Sequence, residues 1–200
     1  MPLLDSFSAL TTALTASRLV PDVLPAGFRP SALLSITLPT GAAPLGAEVP
    51  LADTVDAPGI AIAAAPTDDD IDAAGLVKGE TRYTLAMLDP DAPSAAQPTS
   101  SQFRHWVITG LTLTGDPTVP ALQPTPAANA YRPPGPPKGS GLHRYTFVLY
   151  REPPNFSLPA DASELDPAIE ARRRWNAVKF GEQYGLEIVG ASFYLVRSED

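Results

Sequence analysis

The sequence predicts a mainly β protein, and three observations predict it. Short apolar runs alternate with polar residues, as on strands that bury one face. Proline occurs 24 times, and because it fixes φ and removes a backbone donor it favours short elements joined by many loops. Helical spacing is confined to the two ends of the chain. With 200 residues, no internal repeat and no evident linker, the chain reads as one domain over 1–200.

Residues 5–19 place Phe7, Leu10 and Leu14 at helical spacing after Asp5 and Ser6 as candidate N-caps, with Pro21 expected to end the helix. Residues 1–20 thus form an N-terminal helical segment. Residues 31–38 alternate, with Leu34, Ile36 and Leu38 on one face; 40–50 read as loop and 60–64 as a short strand. Asp68, Asp69, Asp70 and Asp72 mark a solvated turn, since a calcium loop needs better-spaced ligands and a closing Glu. Residues 81–88 give the clearest strand, with Tyr83, Leu85 and Met87 on a face that Asp89 continues. In the strand at 103–113, period two groups His105 with Val107 and Thr109 and sets Trp106 on the opposite, core face. Residues 114–137 form a long proline-rich connection, of the kind that is commonly functional. The strand at 143–151 aligns His143, Tyr145, Phe147 and Leu149. Asp166 and Pro167 open an amphipathic helix through Ile169, Arg172, Trp175, Val178 and Lys179, stopped by Gly185, and a last strand covers 188–196. The run Arg172, Arg173, Arg174 reads as a solvated helix face.

The formal net charge is −8 and the isoelectric point about 4.7, a poor fit to nucleic acid or to an anionic membrane surface. The absence of cysteine excludes disulfides, thiol catalysis and zinc–thiolate sites. No stretch is apolar enough to span a bilayer. The first 17 residues lack a basic leader and carry Asp5, so a cytoplasmic protein is expected.

Both histidines lie in strongly flavoured segments. His105 sits in Phe103-Arg104-His105-Trp106-Val107, and His143 follows Pro136-Pro137-Lys138-Gly139-Ser140-Gly141-Leu142. A third segment, Leu88-Asp89-Pro90-Asp91-Ala92-Pro93-Ser94, places two carboxylates between prolines. If the three loop ends meet, an imidazole and the Tyr145 phenol can donate to an anion, Asp89 can orient an imidazole, and prolines keep the loop rigid. Gly135, Gly139 and Gly141 let the backbone turn and present N–H groups. Taken singly, each histidine is more often a core residue than a ligand contact. A metal held by Asp89, Asp91, His105 and His143 is a weaker reading.

These three motifs, in this order and spacing, resemble the phosphatidylethanolamine-binding protein family over 81–151. The resemblance is fainter over 172–195. Val20-Pro21-Asp22-Val23-Leu24-Pro25 is similar to the entry segment of its fungal, carboxypeptidase-Y-inhibitor-like members. The resemblance implies a β-sandwich with a few peripheral helices and a small cavity for phosphate-like anions. It implies that Asp89, Asp91, Pro93, His105, Pro137, His143 and Tyr145 line or support that cavity, with Tyr194 near its mouth. No cofactor and no metal is expected. The implied partners are a small anionic ligand or phospholipid head group, and a peptidase or kinase inhibited through surface loops. Two positions depart from the family: Ala95 stands where an arginine or similar polar residue is usual, and Pro133 where a glycine N–H could meet the anion. One alternative is a small-metabolite enzyme of isomerase, dehydratase or cyclase type using His105, His143, Asp89 and Tyr145 for proton transfer, since no nucleophile elbow is present. Another is an interaction protein with a vestigial pocket.

Overall fold

The computed structural model describes residues 2–64, 81–113 and 118–199. The aspartate-rich turn expected at 67–72 and residues 114–117 of the long connection lie outside them. Two antiparallel sheets are present, as the β-rich reading requires. The smaller has the order β2-β1-β3, from β1 (Ala32–Leu38), β2 (Gly41–Ala43) and β3 (Gly59–Ala64). The larger has the order β5-β4-β6-β7, from β4 (Arg82–Asp89), β5 (Phe103–Thr112), β6 (Leu142–Arg151) and β7 (Glu187–Arg197). The helices are α1 (Pro2–Ala16), α2 (Leu19–Asp22), α3 (Ile169–Arg172) and α4 (Ala177–Tyr184).

Alternation along β4 and β6 creates two cores. Leu85, Met87, Phe147 and Leu149 pack towards the smaller sheet against Ile36, Leu38, Ile60 and Ile62. Ala86, Leu88, Val148 and Tyr150 face Leu10, Leu14, Leu19 and Phe180 from the helices. The larger sheet is therefore a middle layer, covered on both faces. Gly190 of β7 permits a close approach to β1: a Cβ there would stand 2.8 Å from the Ala32 carbonyl oxygen. The rim of β7 away from β6 is covered by residues 46–49, through Gly46 N–H to Phe193 O and Val49 N–H to Leu195 O, both 2.8 Å.

Four local expectations are corrected. The first helix begins at Pro2, a favoured first helical residue, so Asp5 and Ser6 lie inside it. It ends at Ala16, before a left-handed Arg18 (φ 58°), rather than at Pro21. The 40–50 loop contains β2, whose register pairs Leu38 with Gly41. The expected helix after Asp166 is broken into α3 and α4. The N–H groups of Arg174 and Trp175 donate instead to the carbonyls of Ser100 and Gln102, and Asn176 caps α4 by accepting from the Lys179 N–H at 2.8 Å.

The fourth correction shapes the site. Met87 pairs with Trp106 and Leu88 with Arg104, so His105 is an extra residue on β5, a β-bulge. The bulge re-phases the strand. Val107 joins the outer core beside Leu88, whereas Trp106 packs in the inner core that holds Tyr145. His105 stacks edge-on against that same Tyr145, with centroids 5.1 Å apart. His105 and Val107 thus part company, and Trp106 is not opposed to His105.

Candidate functional site

The site begins where β4 ends. Pro90 removes a donor and stops pairing, and Asp89 Oδ1 accepts the Asp91 N–H at 2.8 Å to close the turn. Asp89 Oδ2 lies 2.8 Å from His143 Nδ1, and both side chains are buried. The other His143 nitrogen, Nε2, lies 2.9 Å from Ser140 Oγ, whose hydroxyl donates to the Pro137 carbonyl at 2.5 Å. His143 therefore has both ring nitrogens engaged. It braces the Pro137–Ser140 loop against β4.

His105 is different. Its Nδ1–H donates to the Arg132 carbonyl at 2.7 Å, which leaves Nε2 as a lone-pair acceptor without a partner among the described residues. Burial, the dominant cause, pushes its pKa down to about 4, so the ring is neutral near pH 7. The donor role expected for this imidazole is thus already spent on the backbone. Tyr145, the next ring inward, accepts the Gly135 N–H at 3.3 Å and keeps its own proton for donation. Burial first, then the Asp89 charge, pushes the Tyr145 phenol well above its ordinary pKa, so it stays a neutral donor.

These side chains line a cavity of about 570 Å³, together with Pro93, Phe103, Arg132, Pro133, Pro134, Gly135, Pro137, Ile169 and Arg173. Of the residues singled out in the sequence, Asp89, Pro93, His105, Pro137, His143 and Tyr145 thus meet at one place. Asp91 and Tyr194 do not line it. Asp91 faces the other way, accepting from the backbone N–H and the guanidinium of Arg144, whose β6 position alternates with His143 and Tyr145. Tyr194 is fully buried behind Tyr145 (centroids 6.0 Å apart) rather than at a mouth, because β7 lies beside β6 and Tyr194 pairs with Tyr145. Of the three glycines, only Gly135 turns its N–H to the cavity. Gly139 and Gly141 donate to Glu199 O and Ser198 Oγ.

The arginines at the cavity were not foreseen. Arg172 is buried, contrary to the solvated-face reading, and its guanidinium donates to the carbonyls of Arg104, His105 and Ala130 at 3.3, 3.0 and 2.9 Å. No carboxylate pairs with it among the described residues. Arg132 and Arg173 line the opening, the latter 3.5 Å from Glu170. Asp89, Asp91, His105 and His143 do not converge as ligands. Among the described residues no cluster of His, Asp or Glu is placed to hold a metal.

Comparison with known proteins gives a consistent picture. The sequence profile of the phosphatidylethanolamine-binding protein family matches residues 37–185. The 26 kDa secreted antigen of Toxocara canis is 38% identical over 109 residues, which are 52% of this chain and 37% of that protein. The carboxypeptidase Y inhibitor of Saccharomyces cerevisiae is 30% identical over 153 residues, 67% of this chain and 63% of that protein. The chain thus spans less than two thirds of the length of these curated relatives. A carboxypeptidase Y inhibitor solved in complex with its cognate proteinase superposes with a TM-score of 0.74 at 24% identity, covering 96% of both chains. That likeness confirms the fold. No helix among the described residues is long and apolar enough to cross a membrane.

Proposed function

We infer, from the premise that this chain belongs to the phosphatidylethanolamine-binding protein family, that it is a regulatory binding protein whose cavity takes a small anionic ligand or phospholipid head group. The observation that carries the reading is the gathering of a neutral phenol donor, Tyr145, with Arg132 and Arg173 in one cavity of an acidic chain. Proline at 133 offers no N–H, but Gly135 stands two residues on with its N–H at the Tyr145 hydroxyl. The acid–base alternative has less support, because His143 has no free nitrogen and Tyr145 is held far from titration. Titration of ¹⁵N-labelled protein with inorganic phosphate and phosphorylethanolamine tests the reading. Saturable shifts at the Gly135 amide and the His105 ring are expected, and their absence with both ligands would refute it.

The reading includes inhibition of a peptidase or kinase in the cytoplasm, with a carboxypeptidase Y-type enzyme as the first candidate given the named relative. The N-terminal segment is the proposed inhibitory element. Deleting residues 1–20 would also strip Leu10, Leu14 and Leu19 from the outer core, so deletion of residues 1–5 is the cleaner test. Reduced inhibition of carboxypeptidase Y by that variant supports the N-terminal element; undiminished inhibition removes it.

A further inference from the structure

The charge around the cavity is the reverse of the charge on the chain. The protein carries a net charge of −8, yet Arg132 and Arg173 line the cavity and the Arg172 guanidinium donates to the His105 backbone carbonyl behind it. Arg172 is 6% exposed and, among the described residues, answered only by backbone carbonyls. Arg132 has no carboxylate partner among the described residues, and Arg173 has only the exposed Glu170 at 3.5 Å. A buried cation without a counter-ion is costly, since carbonyl dipoles replace only part of its lost hydration. An anion seated in the cavity would relieve that cost.

The neutral groups narrow the ligand. His105 Nε2 is an acceptor and Asp89 already serves His143 and the Asp91 amide, so the inner wall offers Tyr145 as its donor. Positive charge comes from the guanidinium forks, which match the several oxygens of a dianion better than the single charge of a diester. A ligand ammonium group beside Arg132 and Arg173 would be repelled. Phe103, Pro133, Pro134 and Ile169 supply apolar wall for the group that carries the phosphate.

We propose that Arg132 and Arg173, backed by Arg172, make this cavity selective for a phosphomonoester dianion on an apolar carrier over a phosphodiester or zwitterionic head group. The proposal rests on the reading of the cavity as an anion site, and the test separates the two. Binding of phenyl phosphate and of diethyl phosphate is measured at pH 7.5 by calorimetry on wild type, Arg132→Ala, Arg173→Ala, the double variant and Arg132→Lys. Both arginine side chains are exposed, so the variants are expected to fold, which the unfolding midpoint verifies.

Wild type is expected to prefer the monoester by about tenfold or more, because the second charge and third terminal oxygen of the dianion strengthen its bonds to both guanidinium forks. Each alanine variant should lose more affinity for the monoester than for the diester, narrowing the preference several-fold, and Arg132→Lys should restore part of the difference. Equal affinity for the two phosphates, or a preference that survives in the double variant, overturns the selectivity and leaves the anion site standing. Failure of both phosphates to bind overturns the anion site and the selectivity with it. Vesicles containing phosphatidic acid, compared with vesicles containing phosphatidylglycerol, identify the source of the ligand. Preferential co-sedimentation with phosphatidic acid points to a lipid monoester, whereas phenyl phosphate binding without co-sedimentation points to a soluble one; either outcome supports the selectivity. Preferential co-sedimentation with phosphatidylglycerol would contradict it.

Discussion

His105 and His143 have nearly the same burial and opposite roles, and the difference is set by what each ring nitrogen meets. The buried Asp89–His143 pair is part of the framework, so Asp89→Ala should cost about 3 kcal/mol or more, since it strands a buried imidazole. Urea unfolding measures this. His105 gives a pH signature instead. Its folded pKa of about 4 lies below the ordinary value of 6.5, so between these values the unfolded chain binds more protons than the folded one. Its neutral form supports the fold fully above about pH 6.5, and that support is lost as pH falls towards 4. Relative to His105→Gln, wild type should lose about 3 kcal/mol of unfolding free energy between pH 7 and pH 4. A parallel pH dependence in the two proteins would contradict it. The motif residues were legible in the sequence because strand ends and rigid loops carried them to one spot. Arg172 and Arg173 were not, because three consecutive basic residues look the same on a solvated helix as on a broken one, and Arg132 was not, because nothing in a long proline-rich connection shows which of its residues faces the site.

At the level of elements, every strand of the larger sheet was legible, and period two held best in β4 and β6, whose successive residues go alternately to the inner and outer cores. The bulge at His105 escaped because an extra residue alters phase without altering composition. The C-terminal break escaped because residues 169–179 keep helical spacing, while the carbonyls of Ser100 and Gln102 that compete for their amides lie far away in sequence. Two glycines allow the element-level forces to be separated. Gly185 ends α4 at φ 65° with no atom near its would-be Cβ, so Gly185→Ala tests backbone conformation alone and should cost about 1 kcal/mol. Gly190→Ala forces a Cβ to within 2.8 Å of the Ala32 carbonyl and should cost about 2–3 kcal/mol by overpacking β7 against β1. Thermal unfolding of the two variants side by side tests that order.

The helical layer is joined to the larger sheet at Arg144, which ties the N-terminal helices to the turn that shapes the cavity. Its Nη1 donates to Ser17 O at 2.7 Å and to Asp22 Oδ2 at 2.9 Å, while Nε and Nη2 grip both oxygens of Asp91. Asp91 in turn donates its amide to Asp89, the carboxylate that holds His143. One guanidinium therefore connects the proposed inhibitory segment to the proposed ligand cavity through two hydrogen-bonded steps. Replacing it by methionine keeps the stem but leaves Asp91, whose side chain is only 5% exposed, without its counter-charge. Arg144→Met should cost about 3 kcal/mol and release both ends together. In hydrogen exchange, protection should fall at the Val23 and Leu24 amides, which bond to Leu19 O, and at the Asp91 amide. Asp22→Asn removes the charge from the N-terminal arm of the clasp and keeps the Ser17 carbonyl contact, so it should loosen the Val23 and Leu24 amides more mildly while sparing that of Asp91. Equal loosening of Asp91 in both variants would show that the two ends are coupled by the sheet rather than by this side chain.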